Sequence, residues 1–121
     1  MQIGMIGLGR MGANMVRRLM RAGHQCVVHD LSPESVQALG KEGAVGSTSL
    51  SDFAAKLTAP RAICVMVPVA GVDSIIDALV PHLTPNDVVV DGGNSHYQDD
   101  IARVRGSEAA RLLSEVRAEL A

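Results

Sequence analysis

The segment Gly7-Leu8-Gly9-Arg10-Met11-Gly12 follows directly on the apolar run Ile3-Gly4-Met5-Ile6, and this placement restricts the fold more than any other feature. Each glycine has a mechanical role. Gly7 permits a tight turn out of a strand, Gly9 lets backbone approach a pyrophosphate, and Gly12 lets the following helix lie close to the strand it left. Such a motif is weak by itself. Here it stands between a strand and a helix, and Asp30 closes the next apolar run, Cys26-Val27-Val28. An acidic residue about 20 positions on completes a dinucleotide-binding fingerprint. Gly7, Leu8, Gly9, Arg10, Met11 and Gly12 are therefore candidate cofactor-binding positions. The N-terminus of the helix would offer them its free amides and positive dipole end.

Strand-length apolar runs alternate with helical periods along the chain. Strands are expected at residues 2–6, 25–29, near Ala44-Val45, at Ala62 to Val67 and at Val88 to Val90. Helices are expected from Met11 to Ala22, from Pro33 to about Glu42, at about Ser51 to Leu57 and from about Val72 to Val80. Ser32 before Pro33 is an N-cap signal, and Ser49 with Asp52 resembles a capping box. The alternation predicts an α/β fold of Rossmann type, a doubly wound parallel sheet ordered 3-2-1-4-5, with an additional C-terminal helix. Residues 1–106 would form the dinucleotide-binding domain. Residues 107–121 would form an amphipathic helix with Ala109, Leu112, Leu113, Val116 and Leu120 on one face.

Composition agrees with one such domain. The chain has 121 residues, 47% of them hydrophobic and only 2% aromatic, so the core must be aliphatic, as in helix-covered parallel sheets. A net charge of −2 with mixed signs argues against a nucleic-acid partner, and Arg17, Arg18 and Arg21 read as the wet face of the first helix. No stretch approaches the roughly 20 apolar residues of a membrane span, and Met1 leads almost directly into the first strand. A cytoplasmic protein is expected. Cys26 and Cys64 fall in strands two and four, which the sheet order separates by roughly 9.6 Å. A disulfide needs Cα atoms within about 7 Å, so both are expected free. Metal binding has no support in the spacing of histidines and cysteines.

In this fold ligands lie beyond the carboxyl ends of the strands. Gly7–Gly12, Asp30, Pro68-Val69-Ala70-Gly71 and Gly92-Gly93-Asn94 all fall there. A carboxylate after strand two accepts the ribose hydroxyls of NAD and repels the extra phosphate of NADP, and Leu31, Ser32 and Pro33 bring no cation. NAD is the expected cofactor. No catalytic base stands out: Lys41 and Lys56 belong to outer helices, and His24 and His82 to the opposite edge. His29 falls near the adenine side, and only His96 could approach the nicotinamide. No catalytic residue is assigned.

Gly7 to Met15, the Gly23-His24 turn, Met66-Val67-Pro68 and above all Asp91-Gly92-Gly93-Asn94-Ser95 together resemble decarboxylating 6-phosphogluconate dehydrogenase, in its shorter NAD-preferring bacterial form. The resemblance covers about residues 1–105, the family's N-terminal cofactor domain within the β-hydroxyacid dehydrogenases. It implies that the glycine loop holds the pyrophosphate and that Asp30 selects the ribose. Val67, Pro68 and Val69 would line the nicotinamide side, and Asn94 would reach both nicotinamide and sugar-phosphate substrate. NADP-using relatives carry Asn-Arg-Thr where this chain has Asp30-Leu31-Ser32, which agrees with the electrostatic argument.

The family continues into a serine-glycine-glycine loop and a helical domain bearing a catalytic lysine and glutamate, which this sequence does not include. From Gly106 onward the family pattern is no longer recognised. The expectation is a truncated or engineered cofactor domain, inactive alone. The alternatives are a dehydrogenase completed by another chain, or an assembly module whose tail helix or strand-five edge forms a homodimer.

Overall fold

The computed structural model describes residues 2–84 and 87–91. In chain order the elements are β1 (Gln2–Ile6), α1 (Arg10–Arg21), β2 (Gln25–His29), α2 (Pro33–Lys41), β3 (Val45–Gly46), α3 (Leu50–Lys56), β4 (Ala62–Val65), α4 (Val69–Leu79) and β5 (Val88–Asp91). A 3-10 turn at Val80–His82 links α4 to the last loop. The strands are parallel, in the expected order β3-β2-β1-β4-β5. Residues 92–121 lie outside the described residues, and with them Asn94, His96 and the expected tail helix.

Register explains why the strands read as unbroken apolar runs. Met5 of β1 stands opposite Val28 of β2 and Cys64 of β4. These three, with Ile3, Cys26 and Val88, face α1 and α2, where Met15, Val16, Leu19, Val36 and Leu39 cover them. The alternate positions Ile6, Val27, Ile63, Val65 and Val89 face Phe53, Leu57 and Leu79 on the other side. Both faces are covered, so side chains of both alternations must be apolar. Cys26 and Cys64 form no disulfide and are buried on the α1–α2 side, and burial pushes the Cys26 thiol up to about 11.

α1 buries Gly12, Met15, Val16 and Leu19, a helical i, i+3, i+4, i+7 stripe, and turns Arg18 and Arg21 to solvent. Arg17 pairs across to Glu42 beyond α2, with Nε 2.9 Å from Oε1. Ser32 caps α2 by accepting from the Ser35 amide at 3.4 Å. Ser49 caps α3 by accepting from the Asp52 amide at 3.0 Å, while Asp52 accepts from the Thr48 amide at 2.9 Å, one residue beyond the expected box.

Two boundaries differ from expectation by more than one residue. β4 ends at Val65 rather than Val67, and α4 begins at Val69 rather than Val72. The Met66 amide makes a last bond to the Ile6 carbonyl at 2.7 Å, beyond which β1 turns away and leaves no partner. Pro68, past the end of β4, serves as the N-cap of α4.

The opposite, amino-terminal edge of the sheet is tied by a buried polar cluster. Asp87 accepts from the Arg61 amide at 2.6 Å, the Arg61 guanidinium at 2.9 Å and the Thr84 amide at 2.8 Å. Arg61 Nε also donates to the Ala54 carbonyl at 3.0 Å, joining α3 to the β4–β5 pair. Burial alone would raise the Asp87 carboxyl pKa, but the Arg61 and Thr84 amides and the guanidinium outweigh it and hold the pKa low. A carboxyl depressed in the folded state stabilises fully above its ordinary value near 3.8, and that contribution is lost as pH falls through the folded value. Asp87→Ala leaves the half-buried Arg61 and two amides without their acceptor. It should cost about 3 kcal/mol in denaturant unfolding at neutral pH, and the difference from the native chain should shrink in acid.

Candidate functional site

The site begins with an asymmetry among helix N-termini. α2 and α3 open with serine caps and carry Glu34 and Asp52 in their first turns. α1 and α4 open at Gly9 and Pro68 with no side-chain cap and no acid in the first turn. These two uncapped helices follow the neighbouring strands β1 and β4 and pack on opposite faces of the sheet. Strand order reverses between them, so a crevice opens where both helix dipoles present positive ends.

The glycines shape one wall of it. Gly7 has φ +97°, and a Cβ there would sit 2.6 Å from the Met66 carbonyl oxygen. A Cβ on Gly12 would sit 1.9 Å from the Gly7 carbonyl oxygen, so α1 crosses β1 with no room for any side chain. Gly9 is different. Its φ of −64° and ψ of −173° suit any residue, and a Cβ would meet nothing within 4 Å. Nothing inside the described protein demands glycine there; the space it leaves is on the crevice side, where a pyrophosphate must approach backbone.

Asp30 stands at the carboxyl end of β2. One carboxylate oxygen accepts from the Leu8 amide at 2.5 Å and the other from the Ser32 amide at 2.9 Å. The preceding carbonyl, of His29, accepts from the Gly7 amide at 3.0 Å. Two clefts flank this residue. One, of about 390 Å³, is lined by Gly7, Gly9, Asp30, Leu31, Val67 and Pro68, together with Ile6, His29, Met66, Gly71, Ser74 and Ile75. The other, of about 400 Å³, lies between β2 and β3 against Leu31, Pro33, Gln37, Ser47 and Thr48. Among the described residues, neither lining includes a lysine or arginine.

His29 borders both clefts. Its ring lies 6.2 Å from that of Phe53, and its Nδ1 is 3.3 Å from the Ser47 hydroxyl, which donates to the Val28 carbonyl at 2.7 Å. Burial lowers the imidazole pKa against the opposing pull of Asp30, which favours the neutral form of the ring.

The structure therefore gathers Gly7, Gly9, Asp30, Val67 and Pro68 around one cleft. Leu8 contributes its amide, while its side chain is buried in the core. Gly12 is buried beneath the loop, and Arg10 and Met11 are exposed on the first turn of α1 outside the cleft lining. Val67 and Pro68 line the same cleft as Asp30. Ser74 and Ile75 carried no sequence signal as lining residues, although both fall within the expected helix. Leu31 had one: a leucine 90% exposed directly after a strand-end acid. Among the described residues no group of three or more histidine, cysteine or acidic side chains could hold a metal, and no helix is long and apolar enough to cross a membrane.

Comparison with known proteins agrees with this geometry. The family model for the NAD binding domain of 6-phosphogluconate dehydrogenase matches residues 2–114, and so runs past Gly106, where the recognisable pattern had been expected to end. The NAD(+)-dependent, decarboxylating 6-phosphogluconate dehydrogenase of Haloferax volcanii is 46% identical over 113 residues, which cover 93% of this chain and 38% of that protein. The decarboxylating 6-phosphogluconate dehydrogenase of Synechococcus elongatus is 39% identical over 117 residues, covering 92% of this chain and 25% of that one. The chain thus spans well under half of the relatives it matches. Among solved structures, the Plasmodium falciparum 6-phosphogluconate dehydrogenase superposes with a TM-score of 0.71 at 21% identity, over 95% of this chain and 25% of that one, a likeness of fold. An uncapped helix over a glycine turn, an acid at the end of β2 and a sequence match along nearly the whole chain agree: this chain belongs to the NAD-binding domain family of 6-phosphogluconate dehydrogenase.

Proposed function

We propose that the chain is the NAD(H)-holding part of an oxidoreductase of the 6-phosphogluconate dehydrogenase type, acting in oxidative decarboxylation of 6-phosphogluconate. The observation that carries the cofactor choice is Asp30, set between two clefts whose linings hold no lysine or arginine among the described residues. In this reading the amides at the start of α1 take the pyrophosphate, with Gly9 leaving it room. Asp30 accepts the adenosine ribose hydroxyls, and the adenine lies between Leu31 and the Val67–Pro68 turn. Bound nicotinamide supplies the hydride acceptor; Asn94 would orient it against substrate. The Haloferax volcanii relative is described as NAD(+)-dependent, which supports the same choice.

A ribose 2′-phosphate would meet the Asp30 carboxylate, with no lysine or arginine among the described residues lining either cleft. NAD(H) should therefore bind at least tenfold more tightly than NADP(H), about 1.4 kcal/mol, in calorimetric titrations at one ionic strength. Equal affinities, or tighter NADP(H), would contradict the assignment.

The glycines should separate folding from binding. Gly9→Ala should leave unfolding free energy within about 1 kcal/mol of the native chain, since the backbone and the space accept a methyl group. The same substitution should weaken NAD(H) at least tenfold by filling the phosphate approach. Gly12→Ala, driven against the Gly7 carbonyl, should cost about 3 kcal/mol or more. Comparable binding by native and Gly9→Ala protein would remove Gly9 from the site.

Hydride removal from the substrate alcohol needs a base at its hydroxyl, and the two clefts offer only a doubly bonded Asp30 and a partly buried His29. The 121-residue chain by itself should show no NAD(+) reduction with 6-phosphogluconate above a protein-free control. Turnover retained through repeated purification would show that the chain carries its own base.

A further inference from the structure

Asp30 is placed to do more than meet a ribose. Three consecutive points on the glycine turn are held by neighbouring strands. The Ile6 carbonyl accepts from Met66 on the β4 side, and the Gly7 amide is bonded to the His29 carbonyl on the β2 side. The Leu8 amide is bonded to the Asp30 carboxylate. Only the last of these holds the turn through a side chain. Leu8 is 6% exposed, so little water is available to take over if that acceptor is lost. The second Asp30 oxygen is tied to the Ser32 amide, which fixes the carboxylate to the β2–α2 turn.

An ionised carboxylate has about four acceptor positions, and these two bonds use half of them. The remaining pair is free for two hydroxyl donors. A bonded amide next to the cradle also costs no reorganisation when an anion arrives, because the loop already has its binding shape. We propose that Asp30 is a positioning residue for the phosphate loop: through the Leu8 amide it clasps the β1–α1 turn to β2 and so shapes the pyrophosphate cradle before nucleotide binds. One carboxylate then both shapes the phosphate site and selects the ribose. The ribose half rests on the dinucleotide reading above; the clasp rests on the hydrogen bonds alone.

A further consequence is that cofactor preference cannot be changed at residue 30 without disturbing the phosphate site. Asn in this position keeps the size but has a single acceptor oxygen, so it can serve Leu8 or Ser32 and not both.

The test uses the full 121-residue chain without nucleotide. In the native protein, nuclear magnetic resonance should detect a through-hydrogen-bond coupling between the Leu8 amide nitrogen and the Asp30 side-chain carboxyl carbon. In Asp30→Ala, which has no side-chain acceptor at all, hydrogen exchange at Leu8 should accelerate at least tenfold, while core amides of β1 and β4 keep their native protection. Inorganic pyrophosphate, which has no ribose, is the binding probe. Removing a negative charge beside an anion site should by Coulomb attraction tighten its binding; loss of the clasp should instead weaken it at least threefold. Absence of the coupling, unchanged Leu8 exchange, or pyrophosphate binding that is unchanged or tighter in Asp30→Ala would each overturn the clasp. If the variant does not fold, the coupling in the native chain decides. Titration of the native chain with NAD(+) is a separate arm: its failure would remove the functional reading and leave the clasp standing.

Discussion

The crossing of α1 over the end of β1 is the contact on which the rest of the site depends. With a Cβ on Gly12 only 1.9 Å from the Gly7 carbonyl oxygen, the helix can pass this close only because Gly12 lacks a side chain. The close crossing sets where the first turn of α1 starts and directs its amides over the carboxyl edge of the sheet. Moving the helix out by the width of a methyl group would lift those amides away from the crevice. It would also open the packing of Met15, Val16 and Leu19 on Ile3, Met5 and Cys26. Core packing and phosphate geometry thus share one steric constraint.

Electrostatics then separates the four helices by task. Ser32 and Ser49 accept the amides they cap, and Glu34 and Asp52 add negative charge at the same ends, so α2 and α3 are satisfied by the chain itself. α1 and α4 keep their positive ends without such partners, on either side of the strand-order reversal. A dinucleotide laid across this edge would meet attraction at its phosphates from α1. At its ribose it would meet a carboxylate without a balancing cation among the described residues lining either cleft. On the proposed reading an anion is favoured at one position and a second one disfavoured at the other, which is the difference between the two nicotinamide cofactors.

Much of this was legible in the sequence because the decisive signals are local. Gly7 to Gly12, the Ser32-Pro33 cap and the doubly apolar runs of β1, β2 and β4 each act within a few residues of their own position. Strand order followed from the alternation of elements, which leaves few unknotted right-handed topologies. The end of β4 was not legible, because its length is set by where β1 and β5 stop pairing. The start of α4 was missed because Pro68 reads as a breaker, yet it is the N-cap from which a helix begins at once. The bonds from Asp30 to Leu8 and Ser32 depend on β2 lying beside β1 in register, with Ile6 opposite His29. No spacing rule encodes that. Asn94, the most specific single residue of the resemblance, lies outside the described residues, so its part in the site rests on sequence alone.

The two structured carboxylates of the sheet edges show what separates a site from a scaffold. Asp87 and Asp30 are chemically identical, and each accepts backbone amides from two segments of chain. Asp87 takes the Arg61 amide, the Thr84 amide and the Arg61 guanidinium, and its side chain is 1% exposed. Its acceptor capacity is nearly filled, its charge is neutralised, and it has nothing left to offer a ligand. Asp30 takes two amides and no cation, stays partly exposed, and borders both clefts. Half its capacity and its whole charge remain to be satisfied from outside. The same side chain therefore stabilises the fold at the amino-terminal edge, where its bonding is complete. At the carboxyl edge the surrounding turn leaves its bonding half made, and acceptor capacity remains for a ligand.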